Sequence, residues 1–381
     1  MQRRATLLTP FDPSARGNGS SRRAAQWRDA LSTQFAVDVV VVPIVSSGPG
    51  GRAGVHRTVG LPSEAERRAG AVRLMEPRWR EWMTAVTPLP RLADAAPAWL
   101  GRGLLRAELL PTVVVAFKMA LAPMAADLAL SAGGTPLVVD LDDDEATLAA
   151  AVGEDEAALE RLMHGVARLG HMLDLVLTAA APLDAVHIGG RIGRPVFVVP
   201  NVVEVEPLSP SRRSGRALFV ANFGYRPNHE AADWLRREIA PLLEGVTRLD
   251  IVGTGSESFG GVGFIDDLEP FYAESAVVLC PVRTGSGTSV KVIEALAHAR
   301  PVVTTSVGAR GLDVVHGEHL LIADDARGFA AAVNLLLEEP VEAAAMGARG
   351  CDLVRARYSS VVGAASMLAA VDAALEAACE T

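Results

Sequence analysis

The stretch Arg283-Thr-Gly-Ser-Gly-Thr-Ser-Val-Lys-Val-Ile-Glu-Ala-Leu-Ala-His-Ala-Arg-Pro-Val-Val-Thr-Thr305 decides how this chain folds. It predicts a glycine-rich turn, a helix and a strand, and the apolar run at 277–281 before it predicts another buried strand. Gly285 and Gly287 let the backbone turn tightly and lie close to a ligand. Thr288 or Ser289 is expected to cap the helix.

The start of this predicted helix has the features of an anion-binding site. Free N–H groups and the helix dipole both favour negative charge there. Lys291 lies in the first turn, and Glu294 follows three residues later on the same helix face. We expect Lys291 to bind a phosphate and Glu294 to accept hydrogen bonds from sugar hydroxyls.

The lysine content draws attention to the same residue. Of 36 basic residues, only Lys118 and Lys291 are lysines. In a chain that uses arginine almost everywhere, a lysine indicates a place where a compact point charge is needed. Chance placement on a solvated helix face is the alternative interpretation for both residues.

Length and composition predict a folded protein of two domains, each of roughly 150–200 residues. Of its 381 residues, 50% are hydrophobic and 21% are charged. The three cysteines are too far apart for a metal motif or a disulfide framework, which favours a reducing cytosol. We find no signal peptide and no apolar run of membrane-spanning length, so we expect a cytoplasmic protein that is neither exported nor membrane-spanning.

Charge is unevenly distributed along the chain. Residues 1–110 hold 16 arginines against nine acidic residues, whereas the whole chain has a net charge of −9. The basic N-terminal part favours an anionic acceptor, or peripheral contact with the inner face of a membrane, and a solvated arginine surface is the alternative. Nucleic acid is not an expected partner, because the arginines are not interleaved with aromatic residues.

Apolar runs alternate with helical patterns along the chain. Strands are predicted at 5–9, 37–43, 112–116, 136–140, 174–178, 195–199, 217–221, 248–252, 261–265, near 277 and at 301. Helices are predicted up to residue 31 and at 119–132, 145–172, 228–240, 326–338, 341–356 and 360–379. The segment 61–100 predicts only short helices and loops, and 200–215 is the best linker candidate. Two such series predict two doubly wound parallel sheets, with a ligand at the carboxyl ends of the strands.

The second half of the chain resembles the nucleotide-sugar-binding domain of glycosyltransferase family 4, whose members are retaining enzymes of GT-B fold. Three features match in order: Leu218-Phe-Val-Ala-Asn-Phe-Gly-Tyr-Arg-Pro-Asn228, Gly263-Phe-Ile-Asp-Asp267, and Gly285-Ser-Gly-Thr-Ser-Val-Lys-Val-Ile-Glu-Ala-Leu-Ala297 with Pro301-Val-Val-Thr-Thr305 and Gly308. Pro200-Asn201 matches the usual hinge of the family. The fit covers about 200–360 well and the first half loosely, and its specificity comes from the motifs taken together.

The resemblance implies an α/β protein of GT-B fold. Two doubly wound, Rossmann-like parallel sheets are expected, with a cleft between the domains. Residues 1–200 would form the acceptor-binding domain and residues 201–360 the nucleotide-sugar-binding domain. Residues 361–381 would form a C-terminal crossover helix that packs back toward the first domain.

The resemblance also implies a set of site residues. Three residues would be catalytic: Lys291 would hold the diphosphate, Glu294 would bind the ribose hydroxyls, and Arg226 would be a further phosphate contact. The remaining expected contacts to the substrates come from both halves of the chain and are Gly17, Gly19, Lys118, Asn228, Phe264, Ile265, Arg283, Gly285, Gly287, Thr288 and Ser289.

The chain departs from the family at two positions. Many members have a glutamate seven residues before the ribose glutamate, where this chain has Gly287. Many also have a histidine near the end of the fourth N-terminal strand, where this chain has Val115-Ala-Phe-Lys118. The direct carboxylate contact to the donor hexose is therefore left without a residue, and Lys118 is the candidate to replace the histidine.

The function implied by the resemblance is transfer of a hexose from a nucleoside-diphosphate sugar to an acceptor hydroxyl with retention. The acceptor would be a sugar, a lipid-linked molecule or a small molecule, in bacterial surface-polysaccharide assembly or specialised-metabolite glycosylation. No cofactor or metal is expected, because cationic side chains and helix N–H groups can stabilise a leaving diphosphate. The alternatives are a non-catalytic GT-B-like scaffold that binds a nucleotide sugar and a Rossmann-type oxidoreductase.

Two further patterns have competing interpretations. The acidic run Asp140-Leu-Asp-Asp-Asp-Glu145 could hold Mg²⁺ or Mn²⁺, or it could cap the helix predicted at 145–172, which we favour. Asp140 or Asp142 could still face the cleft. His164 and His171 lie seven residues apart and share a helix face. Without acids or cysteines at fitting spacing, ordinary histidines are favoured over a zinc site.

Overall fold

The computed structural model describes residues 3–15, 19–41, 57–58, 110–144, 156–209, 215–285 and 287–380. The chain forms two compact units, unit 1 from Met1–Val199 with Ala364–Thr381 and unit 2 from Pro200–Gly363. Gly17, the segment 61–100 and residues 145–155 of the long predicted helix lie outside the described residues.

Unit 1 is built on a seven-stranded parallel sheet of order β3-β2-β1-β4-β5-β6-β7. Its strands are β1 (Arg4–Thr9), β2 (Ala36–Val41), β3 (Arg57–Thr58), β4 (Val113–Phe117), β5 (Leu137–Asp140), β6 (Leu175–Ala179) and β7 (Val196–Val198). Its helices are α1 (Gly19–Ser32), α2 (Ala122–Ser131), α3 (Glu156–Leu169) and α4 (Pro182–Ile192), with a short 3₁₀ turn at Met119–Leu121.

The central strand β4 shows why this sheet is buried on both faces. All five of its residues are buried. Val113, Val115 and Phe117 pack into one apolar cluster, whereas Val114 and Ala116 pack into another on the opposite face. A continuous apolar run is therefore required, as is usual for parallel sheets covered by helices on both sides.

Unit 2 contains a five-stranded parallel sheet of order β12-β11-β10-β8-β9. The strands are β8 (Arg216–Val220), β9 (Arg248–Val252), β10 (Val277–Cys280), β11 (Val302–Thr304) and β12 (Leu321–Ile322). The helices are α5 (Arg226–Trp234), α6 (Glu269–Glu274), α7 (Val290–Ala297), α8 (Ala326–Glu338) and α9 (Pro340–Arg357). Short 3₁₀ turns occur at Ala240–Leu242 and Ser256–Phe259.

The C-terminal helix α10 (Ser360–Glu380) begins in unit 2 and continues into unit 1. Met367, Ala370, Val371 and Ala374 join the apolar cluster formed by β1, β4 and α1. The predicted packing of a C-terminal helix against the first domain is therefore confirmed.

The segment Ser360–Cys379 of this helix is also long and apolar enough to cross a membrane. This is contrary to our expectation that no such run occurs. Only part of the segment is buried. Helices that pack into a soluble core have the same composition, so this is weak support for a membrane span.

The most clearly wrong prediction of secondary structure concerns residues 261–265, which form a loop and not a strand. Two backbone hydrogen bonds hold the loop beside β9: Val262 N–H donates to Ile251 O at 3.1 Å, and Gly253 N–H donates to Gly263 O at 2.8 Å. The backbone of Gly263 has a φ of +83°, which a strand residue does not adopt. The apolar alternation was therefore not sufficient to produce a strand.

Other elements differ in extent. The helix predicted at 228–240 is α5 followed by a π-helical turn at Leu235–Ile239. The helices α4 and α6 and the short strands β3 and β12 were not predicted, and β3 lies in a segment, 46–60, that the sequence indicated as loop. The described part of the predicted linker, 200–209, is held against unit 2, because the buried Arg300 donates to the carbonyls of Leu208 and Ser209, each at 2.6 Å.

Candidate active site

The carboxyl edge of the unit 2 sheet gathers most of the predicted site residues. Strand β8, the first of this sheet in the chain, lies between β9 and β10, so the chain leaves β8 in one direction and returns on its other side. Such a switch point leaves a crevice beyond the strand ends, where ligands bind in open α/β sheets. Because all five strands are parallel, the loops after β8, β9 and β10 meet at this edge.

The glycine turn after β10 approaches the start of α7 with a constrained backbone. Gly287 is buried and has a φ of +68°, the left-handed region that favours glycine. Thr288 is also buried, and its Oγ1 accepts a hydrogen bond of 3.1 Å from Asn201 Nδ2. Ser289 is the N-cap residue, as predicted, but its side chain makes no capping hydrogen bond. The first turn of α7 therefore lacks the usual side-chain acceptor for its N–H groups.

Lys291 and Glu294 are both half-buried on the first two turns of α7. Within the described part of the chain, the Lys291 ammonium has neither a hydrogen-bond nor an ion-pair partner. A half-buried cation without a counter-charge favours binding of an anion, because its desolvation is then compensated. Lys291 thus has the location and charge that the sequence predicted.

Arg226 begins α5 and is engaged by a neighbour that sequence reasoning missed. Its Nε donates to Glu230 Oε1 at 2.8 Å, and Thr284 Oγ1 contacts the other oxygen of Glu230 at 3.4 Å. The hydrogen bond from Arg226 lowers the pKa of Glu230, and Thr284 and Arg283 contribute in the same direction. The signal in the sequence was the i,i+4 spacing of Arg226 and Glu230 on one helix.

Arg283 and Asn228 have defined positions near this pair. The guanidinium of Arg283 lies 4.6 Å from the centroid of the Trp234 ring, a cation–π contact that keeps an exposed side chain over α5. Asn228 is buried, and its Nδ2 donates to Asn222 O at 2.8 Å. Its Oδ1 is buried without a hydrogen-bond partner among the described residues.

The loop 261–265, which contains the expected substrate contacts Phe264 and Ile265, lies beside the end of β9. Gly263 N–H donates to Ser256 Oγ at 2.8 Å, and this bond fixes the loop in the interior. Phe264 is 50% exposed, whereas Ile265 is half-buried against the core of unit 2. The structure therefore presents Phe264 at the same sheet edge as the glycine turn, with a backbone anchored on both sides.

The carboxyl edge of the unit 1 sheet is arranged differently, around the buried carboxylate of Asp140. Arg23 donates to both oxygens of Asp140, from Nε at 2.7 Å and from Nη2 at 2.9 Å. Trp27 Nε1 donates at 2.6 Å and Thr178 Oγ1 at 2.8 Å. Asp140 neither caps a helix nor faces solvent, so the interpretation favoured from sequence was wrong for this residue.

Lys118, the other lysine, forms an ion pair with Asp142. The distance from Lys118 Nζ to Asp142 Oδ2 is 2.8 Å, and the two side chains are 16% and 9% exposed. Both residues have positive φ angles, +75° and +66°, which are strained for residues other than glycine. Arg23 Nε lies 3.5 Å from Asp142 Oδ1, so this pair is continuous with the Asp140 cluster.

The remaining predicted residues fall in less informative positions. Gly19 is the first residue of α1, and Gly17 lies outside the described residues. Gly285 follows Thr284 in the turn after β10. Within the described residues, no group of three or more histidines, cysteines or acids could hold a metal ion.

Comparison with known proteins relates the carboxyl edge of unit 2 to a family of glycosyltransferases. Residues 214–339 match the family model described as "Glycosyl transferases group 1". A short region is 34% identical over 65 residues to an uncharacterized 44.6 kDa protein in the cps region of Klebsiella pneumoniae. That alignment spans 17% of this chain and 17% of the relative.

Several solved structures share the whole architecture at low identity. A sucrose-phosphate synthase from Thermosynechococcus elongatus aligns with a TM-score of 0.72 at 17% identity, over 98% of this chain and 100% of its own. HepE from Anabaena, in complex with UDP-glucose, aligns with a TM-score of 0.67 at 14% identity, over 97% and 99%. The lipopolysaccharide outer core galactosyltransferase WaaB aligns with a TM-score of 0.58 at 13% identity, over 97% and 99%. The fold is therefore the two-domain α/β fold of GT-B glycosyltransferases, and the matched segment contains the candidate site.

Proposed function

We propose that this protein is a retaining glycosyltransferase that moves a hexose from a nucleoside-diphosphate sugar to an acceptor hydroxyl. The observation that supports it most is the half-buried Lys291 ammonium, which lacks a counter-charge in the described part of the chain and follows the glycine turn. The group 1 glycosyltransferase match over 214–339 contains this turn.

The donor would lie at the carboxyl edge of unit 2. Its diphosphate would be bound by Lys291, by the first-turn N–H groups of α7 and by the guanidinium groups of Arg226 and Arg283. Glu294 would accept hydrogen bonds from the ribose hydroxyls, and the loop containing Phe264 and Ile265 would hold the base. UDP is the first nucleotide to test, because HepE is solved with UDP-glucose.

The chemistry follows from the charge of the leaving group. As the bond from the anomeric carbon to the diphosphate oxygen breaks, negative charge grows on that oxygen, and fixed cations and N–H groups stabilise it. The acceptor oxygen then bonds to the anomeric carbon on the face that the leaving group vacates, and its proton passes to the departing phosphate. The anomeric configuration of the hexose is therefore retained, and this mechanism does not require a metal ion.

The acceptor and the biological role extend this proposal. We place acceptor binding in unit 1 and donor binding in unit 2, with domain limits at residues 1–200, 201–360 and 361–381. The acceptor would be a sugar, a lipid-linked molecule or a small molecule. Among the biological roles that we consider, the similarity of 65 residues to a protein of a cps region favours bacterial surface-polysaccharide assembly. We further propose that the protein acts in the cytoplasm, at the inner face of the membrane.

The Lys291→Ala variant tests the proposal directly. Loss of a transition-state contact should lower kcat/KM by about 100- to 1,000-fold, or about 3–4 kcal/mol. Release of nucleoside diphosphate from UDP-, GDP-, TDP- and ADP-sugars would be measured with and without excess chelator, using protein prepared from the full chain. The Arg355→Ala variant is the control, since Arg355 is an exposed residue of α9 paired with Asp352.

A loss smaller than about threefold for Lys291→Ala would contradict the assignment. Binding of a sugar nucleotide without turnover would instead identify a scaffold. Activity abolished by chelator would show that a metal supplies part of the stabilisation that we assign to side chains.

A further inference from the structure

Unit 1 carries an open cavity of about 460 Å³ that the proposed transfer reaction does not use. It lies between the C-terminal part of α3 and the residues that follow α4. The lining residues are His164, Ala167, Arg168, His171, Ile192, Gly193 and Arg194. Four of these seven residues are histidine or arginine and none is acidic, so the lining is suited to an anion.

Within the residues that the structure describes, the side chains of Arg168 and His171, which line this cavity, have neither a hydrogen-bond nor an ion-pair partner. Arg194 donates to the Gly170 carbonyl at 3.0 Å. Arg191, near the end of α4 but outside the lining, is by contrast paired with Asp144 at 3.3 Å. In a chain of net charge −9, a cavity lined by two such unpaired basic side chains favours an anionic ligand.

The position of Arg194 is set by the absence of a side chain at Gly170. A Cβ atom at Gly170 would lie 2.1 Å from Arg194 Cζ, so the guanidinium lies flat against the Gly170 backbone. The side chain is thereby ordered at the edge of the cavity before any ligand arrives. An ordered guanidinium loses less conformational entropy when it binds an anion than a freely rotating one.

Basic residues near helix C-termini also complement the helix dipole. That role accounts for Arg168 in the last turn of α3. It does not require two histidines beside Arg168, or a second arginine just after α4, to line one cavity without a carboxylate. A structural role for these side chains therefore leaves the composition of the cavity unexplained.

We propose that this cavity binds a phosphate-bearing anion. The crossover helices α3 and α4 run antiparallel to the strands they follow, so their C-terminal ends lie at the amino edge of the sheet, away from its carboxyl edge. The cavity is thus a second binding site, separate from the carboxyl-edge residues to which we assign acceptor binding. The assignment does not depend on the transferase activity and can be tested without it.

Two sources of phosphate are distinguished by two probes. Inorganic phosphate would be titrated into the full chain carrying Lys291→Ala, so that the candidate active site contributes little, and followed by ³¹P line broadening. Vesicles of phosphatidylcholine with and without phosphatidylglycerol would be tested by cosedimentation. Binding of phosphate alone would indicate a soluble phosphorylated ligand, whereas binding of phosphatidylglycerol vesicles as well would indicate a lipid headgroup.

Three changes identify the cavity as the site. The Arg168→Gln and Arg194→Gln double variant should bind the probe about tenfold more weakly, because two charge-assisted contacts are lost. Gly170→Ala keeps every charge but displaces the Arg194 guanidinium, and it should weaken binding by about threefold. The control pair Arg236→Gln and Arg237→Gln removes two exposed charges from unit 2 and should change binding by less than about twofold.

If the double variant does not fold, Arg168→Gln alone serves as the test. We expect this variant to fold, because the Arg168 side chain is exposed and unpaired among the described residues. Weaker binding in the cavity variants than in the control would support the site. Equal binding by wild type and Arg168→Gln, an equal loss in the control pair, or no binding of either probe by wild type would overturn it.

Discussion

The two sheets of this protein end in carboxyl edges that use charge in opposite ways. At the edge of unit 1, Asp140 is fully buried and receives hydrogen bonds from three side chains, including both nitrogens of the Arg23 fork. At the edge of unit 2, Lys291 is half-buried and has no partner within the described residues. Two parallel sheets of different strand order therefore carry, at their carboxyl edges, one carboxylate that is neutralised by its neighbours and one cation that is available to a ligand.

This difference separates residues that maintain the fold from residues that bind. A buried ion pair whose hydrogen bonds are all formed makes the surrounding structure rigid. Removing one member leaves the other charge buried without a partner, which destabilises the fold. A half-buried cation contributes less to folding than a fully buried ion pair, because part of its charge remains in contact with water. We therefore expect substitutions at the two edges to affect different measurements.

The largest effect on stability is expected for Asp140→Asn. Arg23 would then be buried without its bidentate carboxylate, and the free energy of unfolding should fall by about 3–5 kcal/mol. Urea denaturation followed by circular dichroism measures this change. UDP affinity of the folded fraction should be unchanged, whereas Lys291→Ala should show the reverse pattern.

Asp38→Asn is the matched control for this prediction. Asp38 also pairs with an arginine of unit 1, Arg4, at 2.7 Å, but the Arg4 side chain is 43% exposed. Loss of the Arg4–Asp38 ion pair should lower the free energy of unfolding by less than about 1 kcal/mol. Equal effects of Asp140→Asn and Asp38→Asn would show that burial does not distinguish the two pairs and would remove the basis of the comparison.

A smaller effect is expected at Gly253, whose N–H group anchors the loop 261–265. Its φ is +129°, and a Cβ there would lie 1.9 Å from Ala221 O. Gly253→Ala should lower the free energy of unfolding by about 1–3 kcal/mol and should weaken UDP binding, because the loop loses its anchor. Thermal unfolding with and without UDP measures both.

Gly260→Ala is the control for Gly253→Ala, because it introduces backbone strain without a steric clash. Gly260 has a φ of +76°, but a Cβ atom at this position would meet no other atom within 4 Å among the described residues. Its change should lower the free energy of unfolding by about 1–2 kcal/mol and leave UDP affinity intact. If both variants bound UDP as wild type does, the loop would not be part of the donor site.

The sequence predicted the fold well because parallel strands buried on both faces are continuous apolar runs, as Val113–Phe117 shows. It could not predict the loop 261–265, since its apolar pattern also fits a strand and only the tertiary bonds to Ile251 and Gly253 distinguish the two. The partners of Asp140 lie 117, 113 and 38 residues away, so local spacing did not indicate them. The placement of Lys291 was predictable because a glycine turn and a helix start are local features.

The smallest and most discriminating effect concerns Glu230, which forms an ion pair with Arg226. In Glu230→Gln, Arg226 loses its carboxylate partner and one negative charge leaves the neighbourhood of the proposed diphosphate position. UDP affinity at neutral pH should therefore rise by about two- to fivefold. The free energy of unfolding should change by less than about 0.5 kcal/mol, because both side chains are largely exposed.

The pH dependence of this effect follows from the lowered pKa of Glu230. A carboxylate whose pKa is lowered in the folded state stabilises that state above its unfolded pKa, and this contribution is lost as the pH falls through the folded pKa. Wild-type Glu230 is then neutral, so the affinity advantage of Glu230→Gln should shrink below the ordinary glutamate range. Glu238→Gln, an exposed change of equal charge nearby, should show neither the gain nor the pH dependence. Weaker UDP binding by Glu230→Gln would instead show that Glu230 positions Arg226 for the donor. Ion pairs would then hold charged side chains in place at the carboxyl edges of both sheets.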